Sequence, residues 1–244
     1  MIPIPEEILK KPEAPGPTQG DPHGILRLIR HTSSGMVIQC ILGAALLVHS
    51  LGAAQVVRFE PNTQGKLPRG WSVAMTHDGA PPRWEIVRDD SAPSPPFVLA
   101  QLSQDRTAGR FPLAIWDRVA VLDGSVSVAF KTVDGAVDQA AGIVWRYQDP
   151  NNYYIVRANT LESNVVLYKV ENGVRVSIPP KGLPSRSYGV KHDIPHHGSS
   201  FAVFLNHERL FEVEDQTFAK PGKTGLWTKA DSVTYFDEFT VSGK

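Results

Sequence analysis

The sequence predicts an all-β fold, a sandwich or a barrel of many short strands. Three observations carry the prediction. Short strand-like segments recur from Val56 to Val241 with turn-forming clusters between them. Twenty Pro and twenty Gly are spread along the chain, as many turns between short strands require. No segment repeats its apolar residues at the 3.6-residue period of an amphipathic helix. A hydrophobic content of 41% and a charged content of 20% over 244 residues suffice for a sizeable core.

Three regions follow in order. Residues 1–23 carry Pro3, Pro5, Pro12, Pro15, Pro17 and Pro22 and read as a Pro-rich leader, expected to be disordered. They are long for the start of an export signal, so a start codon assigned too far upstream is an equal explanation. Residues 24–54 read as a signal peptide: Arg27 and Arg30, then the apolar run Val37–Val48, then Gly52-Ala53-Ala54. A membrane span needs about 20 apolar residues, and this run is shorter. Cleavage is expected after Ala54, giving an exported protein, periplasmic or extracellular, with no membrane association afterwards. Cys40, the single cysteine, opens the apolar run instead of following small residues at its end, which does not fit lipidation. Residues 55–244 then form one domain without disulfides, its stability resting on its core.

Within that domain the expected strands are Val56–Glu60, Trp71–Thr76, Trp84–Arg88, Phe97–Leu102, Ser125–Thr132, Gly142–Gln148 and Tyr153–Asn159. Val165–Glu171, Arg175–Ile178, Gly189–Ile194, Phe201–Leu205, Arg209–Val213, Thr224–Thr228 and Tyr235–Val241 follow. Asp149-Pro150-Asn151-Asn152 supplies a preset φ and side chains that cap a turn. Glu171-Asn172-Gly173 offers the positive-φ positions of a tight hairpin, and Leu205–Arg209 reads as another. Asp89–Pro96 is the clearest loop and is expected to cross one end of the sandwich.

Period-2 alternation sorts the side chains of Gly142–Asn159 onto two faces. The simplest register across the Asp149–Asn152 turn pairs Tyr147 with Tyr154. Ile143, Trp145, Tyr147, Tyr154 and Val156 then face the core. Arg146, Gln148, Tyr153, Arg157 and Asn159 gather on the second face. Hydroxyl-rich ligands ask for such donors and for an aromatic platform, so this face is the candidate carbohydrate site. Trp227 and Lys229 share a face of their own strand and join the candidate set. Trp71, Trp84, Trp116 and Trp145 are expected in the core.

The run AAGIVWRYQDPNNYYIVRAN…NVVLYKVENG, with FAVFLNHERLFEVEDQTF and GKTGLWTKADSVTYFDEF after it, resembles bacterial exported proteins of the concanavalin A-like lectin/glucanase superfamily. More narrowly it is similar to laminin-G-like jelly rolls and to the 3-keto-disaccharide hydrolase domain. The resemblance covers about Val56 to Val241 and implies a two-sheet antiparallel jelly-roll sandwich whose concave face or rim loops commonly meet carbohydrate. It also implies an alternative, hydrolysis of (3-keto-)disaccharides. SYGVKHDIPHHGSSF departs from the pattern, with Tyr188 where relatives carry Trp.

Other chemistry is weighed against simpler roles. Glycoside hydrolysis needs two carboxyl groups across the bond. Glu212 and Glu214 share a strand face without the rest of a glucanase motif. Asp237 and Glu238 are adjacent and are expected on opposite faces. His192, Asp193, His196 and His197 match no metal-ligand spacing and read as a solvated turn. Asp149, Asn151 and Asn152 suit calcium by their oxygens, but turn capping accounts for them. No cofactor is expected. The 25 basic and 25 acidic residues balance, and without a basic run nucleic acid is not an expected partner. A structural or adhesive surface domain is a third reading.

Overall fold

A computed structural model describes residues 54–59, 64–179 and 196–243. These residues form two antiparallel sheets. The eight-stranded sheet runs β13 (Glu208–Glu214), β12 (Ser200–Leu205), β11 (His196–His197), β6 (Gly124–Asp134), β15 (Val233–Gly243), β4 (Phe97–Gln101) and β3 (Trp84–Arg88). Strand β1 (Gln55–Val57) also pairs with β15. The seven-stranded sheet runs β10 (Val174–Ser177), β9 (Asn164–Glu171), β8 (Asn152–Asn159), β7 (Ala140–Asp149), β14 (Gly222–Trp227), β5 (Phe111–Val121) and β2 (Trp71–Thr76). This is an all-β sandwich, as the strand and turn pattern allowed, and it has the two-sheet antiparallel jelly-roll form that the resemblance implied. The expected strand Gly189–Ile194 lies outside the described residues, as do residues 1–53 with their leader and signal segment.

Alternate residues of each sheet meet between the layers. Ile86, Leu99, Phe236, Phe239 and Phe201 come from one side, and Ile143, Trp145, Tyr154, Leu167 and Leu226 from the other, all at most 2% exposed. Trp145 stacks on Tyr154 with ring centroids 5.4 Å apart. Full burial of one such side chain contributes about 1.5–3 kcal/mol, so this layer supplies most of the driving force without a disulfide.

The turns close as their residues require. Asn172 (φ 52°) and Gly173 (φ 81°) occupy the left-handed region between β9 and β10. Asn206 (φ 49°) and His207 (φ 69°) do so between β12 and β13, the paired positive φ of a two-residue hairpin. At Asp149–Asn152 the Asp149 carboxylate accepts from the Asn151 amide at 2.7 Å and the Asn152 side-chain amide at 3.0 Å. The Asx cap thus occupies both oxygens of Asp149, and Asn152 Oδ1 accepts from the Asn172 amide.

Three expectations are corrected. Strand β5 was not foreseen, because Pro112 and the Asp117-Arg118 pair interrupt its pattern; Pro is disfavoured within strands. The Asp89–Pro96 loop closes the β3–β4 hairpin, Asp89 N–H donating to the Pro96 carbonyl at 2.9 Å, and it folds against β6 and β15 instead of crossing the sandwich end. Most consequential is the β7–β8 register: Tyr154 pairs with Trp145, and Asp149 with Asn152, with a bulge between. The bulge forms at Arg146, whose φ is 47°. Three residues of β7, Arg146 to Gln148, stand opposite Tyr153 alone, and such an irregularity re-aims the side chains around it. Tyr147 therefore leaves the core face and lies beside Tyr153, ring centroids 6.0 Å apart.

Candidate functional site

The outer face of the seven-stranded sheet carries a second apolar cluster. Alternation on β8 turns Tyr153, Ile155, Arg157 and Asn159 away from the interlayer core. Tyr153 and Ile155 pack there with Phe111, Leu113, Ile115, Val144, Val170 and Trp227. Gly142 makes room for them: a Cβ at that position would lie 2.3 Å from Ile155 Cδ1 and 3.4 Å from Trp227 Cβ. Phe111 and Trp227 meet with ring centroids 5.2 Å apart. An apolar patch of this kind on the outside of a sandwich is more than inter-sheet packing needs.

Polar groups sit on and around this floor. Arg157 Nη2 donates to Glu162 Oε2 at 2.7 Å and to Asn164 Oδ1 at 2.6 Å, while its Nε has no partner among the described residues. The Arg157 hydrogen bond is the main reason the Glu162 carboxyl drops to about 2. Asn159 Nδ2 and Lys229 Nζ both donate to the buried Asp138 carboxylate. Thr76 Oγ1 donates to the Pro150 carbonyl at 2.6 Å, which has no proton to give. The Tyr153 hydroxyl, 2.7 Å from Thr76 Oγ1, must then be the donor to it. Burial pushes the Tyr153 phenol well above its ordinary pKa. The His77 ring nitrogens lie 2.7 Å from the Gly109 carbonyl and 2.8 Å from that of Gly173, tying the β9–β10 turn to the start of β5.

Arg175, from the short β10, crowns the patch. Its guanidinium lies 4.5 Å from the Tyr168 ring centroid, 4.8 Å from Phe111 and 5.9 Å from Trp227. Its Nη1 is buried and has no hydrogen-bond partner among the described residues. Desolvation lowers its pKa, and the nearby charge of Arg157 lowers it further. Glu162 is engaged by Arg157, and Asp138 by Lys229 and Asn159. Among the described residues neither carboxylate, nor any other, forms a salt bridge with Arg175.

Five of the seven expected residues, Tyr153, Arg157, Asn159, Trp227 and Lys229, come together on this face. Tyr153 and Trp227 are fully covered and belong to its floor, and Arg157 and Asn159 are each only 2% exposed. Arg146 and Gln148 do not join them. The bulge turns Arg146 to the sheet's end, where it donates to the carbonyls of Leu122, Phe218 and Gly198 and stacks 5.3 Å from the Phe201 ring centroid. Gln148 donates to the Arg146 and Pro221 carbonyls at the same end. Arg175, Tyr168, Phe111 and His77 were not in the expected set. Alternation in β9 and β10 put Tyr168 and Arg175 within reach of the same argument; for Phe111 and His77 the unrecognised β5 hid the signal.

Elsewhere, Glu212 and Glu214 lie on β13, at the edge of the other sheet, with Glu212 bound by Arg209 and Ser200. Asp237 and Glu238 do not diverge as adjacent strand residues should. Glu238 has φ 51°, and both side chains reach Ser94: its N–H donates to Asp237 at 2.7 Å and its hydroxyl to Glu238 at 3.1 Å. His196 and His197 form β11 rather than a turn, and His192 and Asp193 lie outside the described residues. Among the described residues no three His, Cys, Asp or Glu come together as a metal site.

No family model matches the sequence, and no curated protein does. A solved structure of the carbohydrate-binding module CBM66 from Bacillus subtilis resembles the chain with a TM-score of 0.52 and 16% identity, covering 73% of this chain and 96% of that one. A Bacillus subtilis protein of unknown function with a galectin-like fold gives a TM-score of 0.43 and 13% identity over 71% and 90%. The likeness to the first is one of fold: this chain is a two-sheet antiparallel jelly-roll sandwich.

Proposed function

We propose that the chain is an exported carbohydrate-binding module, and that its glycan lies on the outer face of the seven-stranded sheet around Arg157, Tyr168, Arg175 and Lys229. One observation carries the reading. Arg175 is spread over three aromatic rings, with a buried donor that no described residue satisfies. Buried polar atoms are almost always paired, and an orphan donor on an aromatic platform asks for a ligand rich in oxygen acceptors. Sugar hydroxyls meet that need, and ring faces such as that of Tyr168 meet the apolar side of a pyranose. The likeness of fold to a carbohydrate-binding module supports the choice by analogy. The apolar run ending at Gly52-Ala53-Ala54 supports export; an N-terminus at Gln55 on protein recovered outside the cytoplasm tests it.

Screening the full chain against a glycan array, followed by calorimetric titration, tests the binding. Saturable binding is expected, weakened about tenfold in Arg175→Ala and in Arg157→Ala, the loss that follows removal of one charged hydrogen bond. Absence of saturable binding to any glycan by the folded protein would sink the proposal. The alternative, hydrolysis of (3-keto-)disaccharides, is disfavoured here because Glu162 and Asp138 are already engaged by cations. Turnover of a 3-keto-glucoside would reverse that preference.

A further inference from the structure

A pocket of about 220 Å³ opens on the other side of the sandwich, where the Asp89–Pro96 loop meets β4, β6 and β15. It is independent of the glycan face. Its volume lies below the roughly 300–1,000 Å³ of sites for drug-sized ligands, so its occupant is small. Val98, Ala129 and Tyr235 give it apolar walls, and Asp237 stands among them.

Asp237 is 4% exposed. Its carboxylate accepts from the Ser94 and Glu238 amides at 2.7 and 2.8 Å, and among the described residues no cation pairs with it. Burial raises its pKa, and the neighbouring Glu238 adds to the rise. The remaining charges do not relieve it. Lys131 Nζ is 2.9 Å from Asp89 Oδ2 and 2.9 Å from Ser91 Oγ, and Arg88 pairs with Asp90 at 2.7 Å. Lys131, the one cationic residue among the described residues that line the pocket, is thus held by Asp89 and Ser91.

We propose that this pocket binds a small organic cation, a primary ammonium group on a compact apolar body. The ammonium would lie at the Asp237 carboxylate, within the field of Glu238, and the body against Tyr235, Val98 and Ala129. Three ligand classes fit less well. An anion would meet uncompensated carboxylates. A neutral sugar needs donors as well as acceptors, and the donors of Lys131 and Ser91 are already turned to Asp89. A metal ion needs several oxygen ligands converging on one point, and no such group occurs among the described residues. An organic ammonium needs one carboxylate and an apolar wall, with an aromatic ring as a further attraction.

Titration of the full chain with benzylammonium, benzyl alcohol and benzoate, read by calorimetry and by chemical-shift changes, tests this. Saturable binding of benzylammonium is expected, with the alcohol about tenfold weaker or more and benzoate weaker still. Asp237→Asn should abolish the preference for the cation. Because Asp237 also holds the loop, Ala129→Leu is the second variant: it fills the pocket without touching a charge and should remove binding while the unfolding midpoint holds. Failure of benzylammonium to saturate, equal affinity for the alcohol, or full binding by Ala129→Leu would each overturn the proposal. Glycan binding on the opposite sheet should be unchanged in both variants.

Discussion

Replacing Arg146 by alanine separates a structural arginine from a ligand-binding one. The side chain is 1% exposed and donates to three carbonyls, at 3.0 Å to Leu122, 2.9 Å to Phe218, and to Gly198. A hydrogen bond from a charged donor contributes about 1.5–3 kcal/mol, and each acceptor left dry costs about 1–3 kcal/mol. These losses overlap, since water can enter the vacated space, and breaking a buried charged network costs roughly 3–5 kcal/mol in total. We expect a loss of about that size in Arg146→Ala. Arg and Ala meet the same penalty at φ 47°, whereas glycine meets none, so Arg146→Gly should be more stable than Arg146→Ala by about 1 kcal/mol. Urea unfolding measures both, through a lower midpoint at unchanged slope. Glycan affinity of the folded variants should match that of the parent. A stability loss under about 1 kcal/mol together with lost glycan affinity would refute the bulged register and restore Arg146 to the binding face.

Three further outcomes follow from neighbouring contacts. Gly222→Ala would place a Cβ 2.4 Å from the Arg146 carbonyl carbon and 2.7 Å from its Cα; backbone cannot step aside, so a loss of about 1–3 kcal/mol in thermal or urea unfolding is expected, and an unchanged midpoint would contradict it. Asp138→Ala strands Asn159 and Lys229 in a buried setting and should cost roughly 3–5 kcal/mol, with Asp138→Asn falling between; equal stability of all three proteins would count against the network. Glu162 has a folded pKa of about 2, below its ordinary 4.5, so its contribution is complete above the unfolded value and fades as pH falls toward 2. Its side chain is 45% exposed, so that contribution stays below about 1 kcal/mol. The stability gap between parent and Glu162→Gln should close on acidification, and a gap independent of pH would argue against the pairing.

How far the sequence reached differs from place to place. Hairpin turns were legible because their chemistry is local: Asn172-Gly173 adopts positive φ where the residue types invite it. So were the faces of β8, since a regular strand has a strict period of two. Tyr154 and Val156 lie in the interlayer core, and Tyr153 and Arg157 oppose them. Strand β5 was not legible, because its Pro112 and charged pair break the local signal while pairing with β2 and β14 on either side restores the strand.

The sequence by itself determined the all-β class, most of the strands, the turns and the assembly of Arg157, Asn159 and Tyr153 on one face. Only the tertiary structure decided where Arg146 points. Nothing near Arg146 in the chain favours a left-handed residue, and the conformation is held by carbonyls 24, 52 and 72 residues away. It also decided that Arg175 would crown that face, because Phe111, Tyr168 and Trp227 meet beneath it only once β5, β9 and β14 are in place. Both outcomes rest on long-range contacts, whose free energy exceeds the local preferences that a sequence displays.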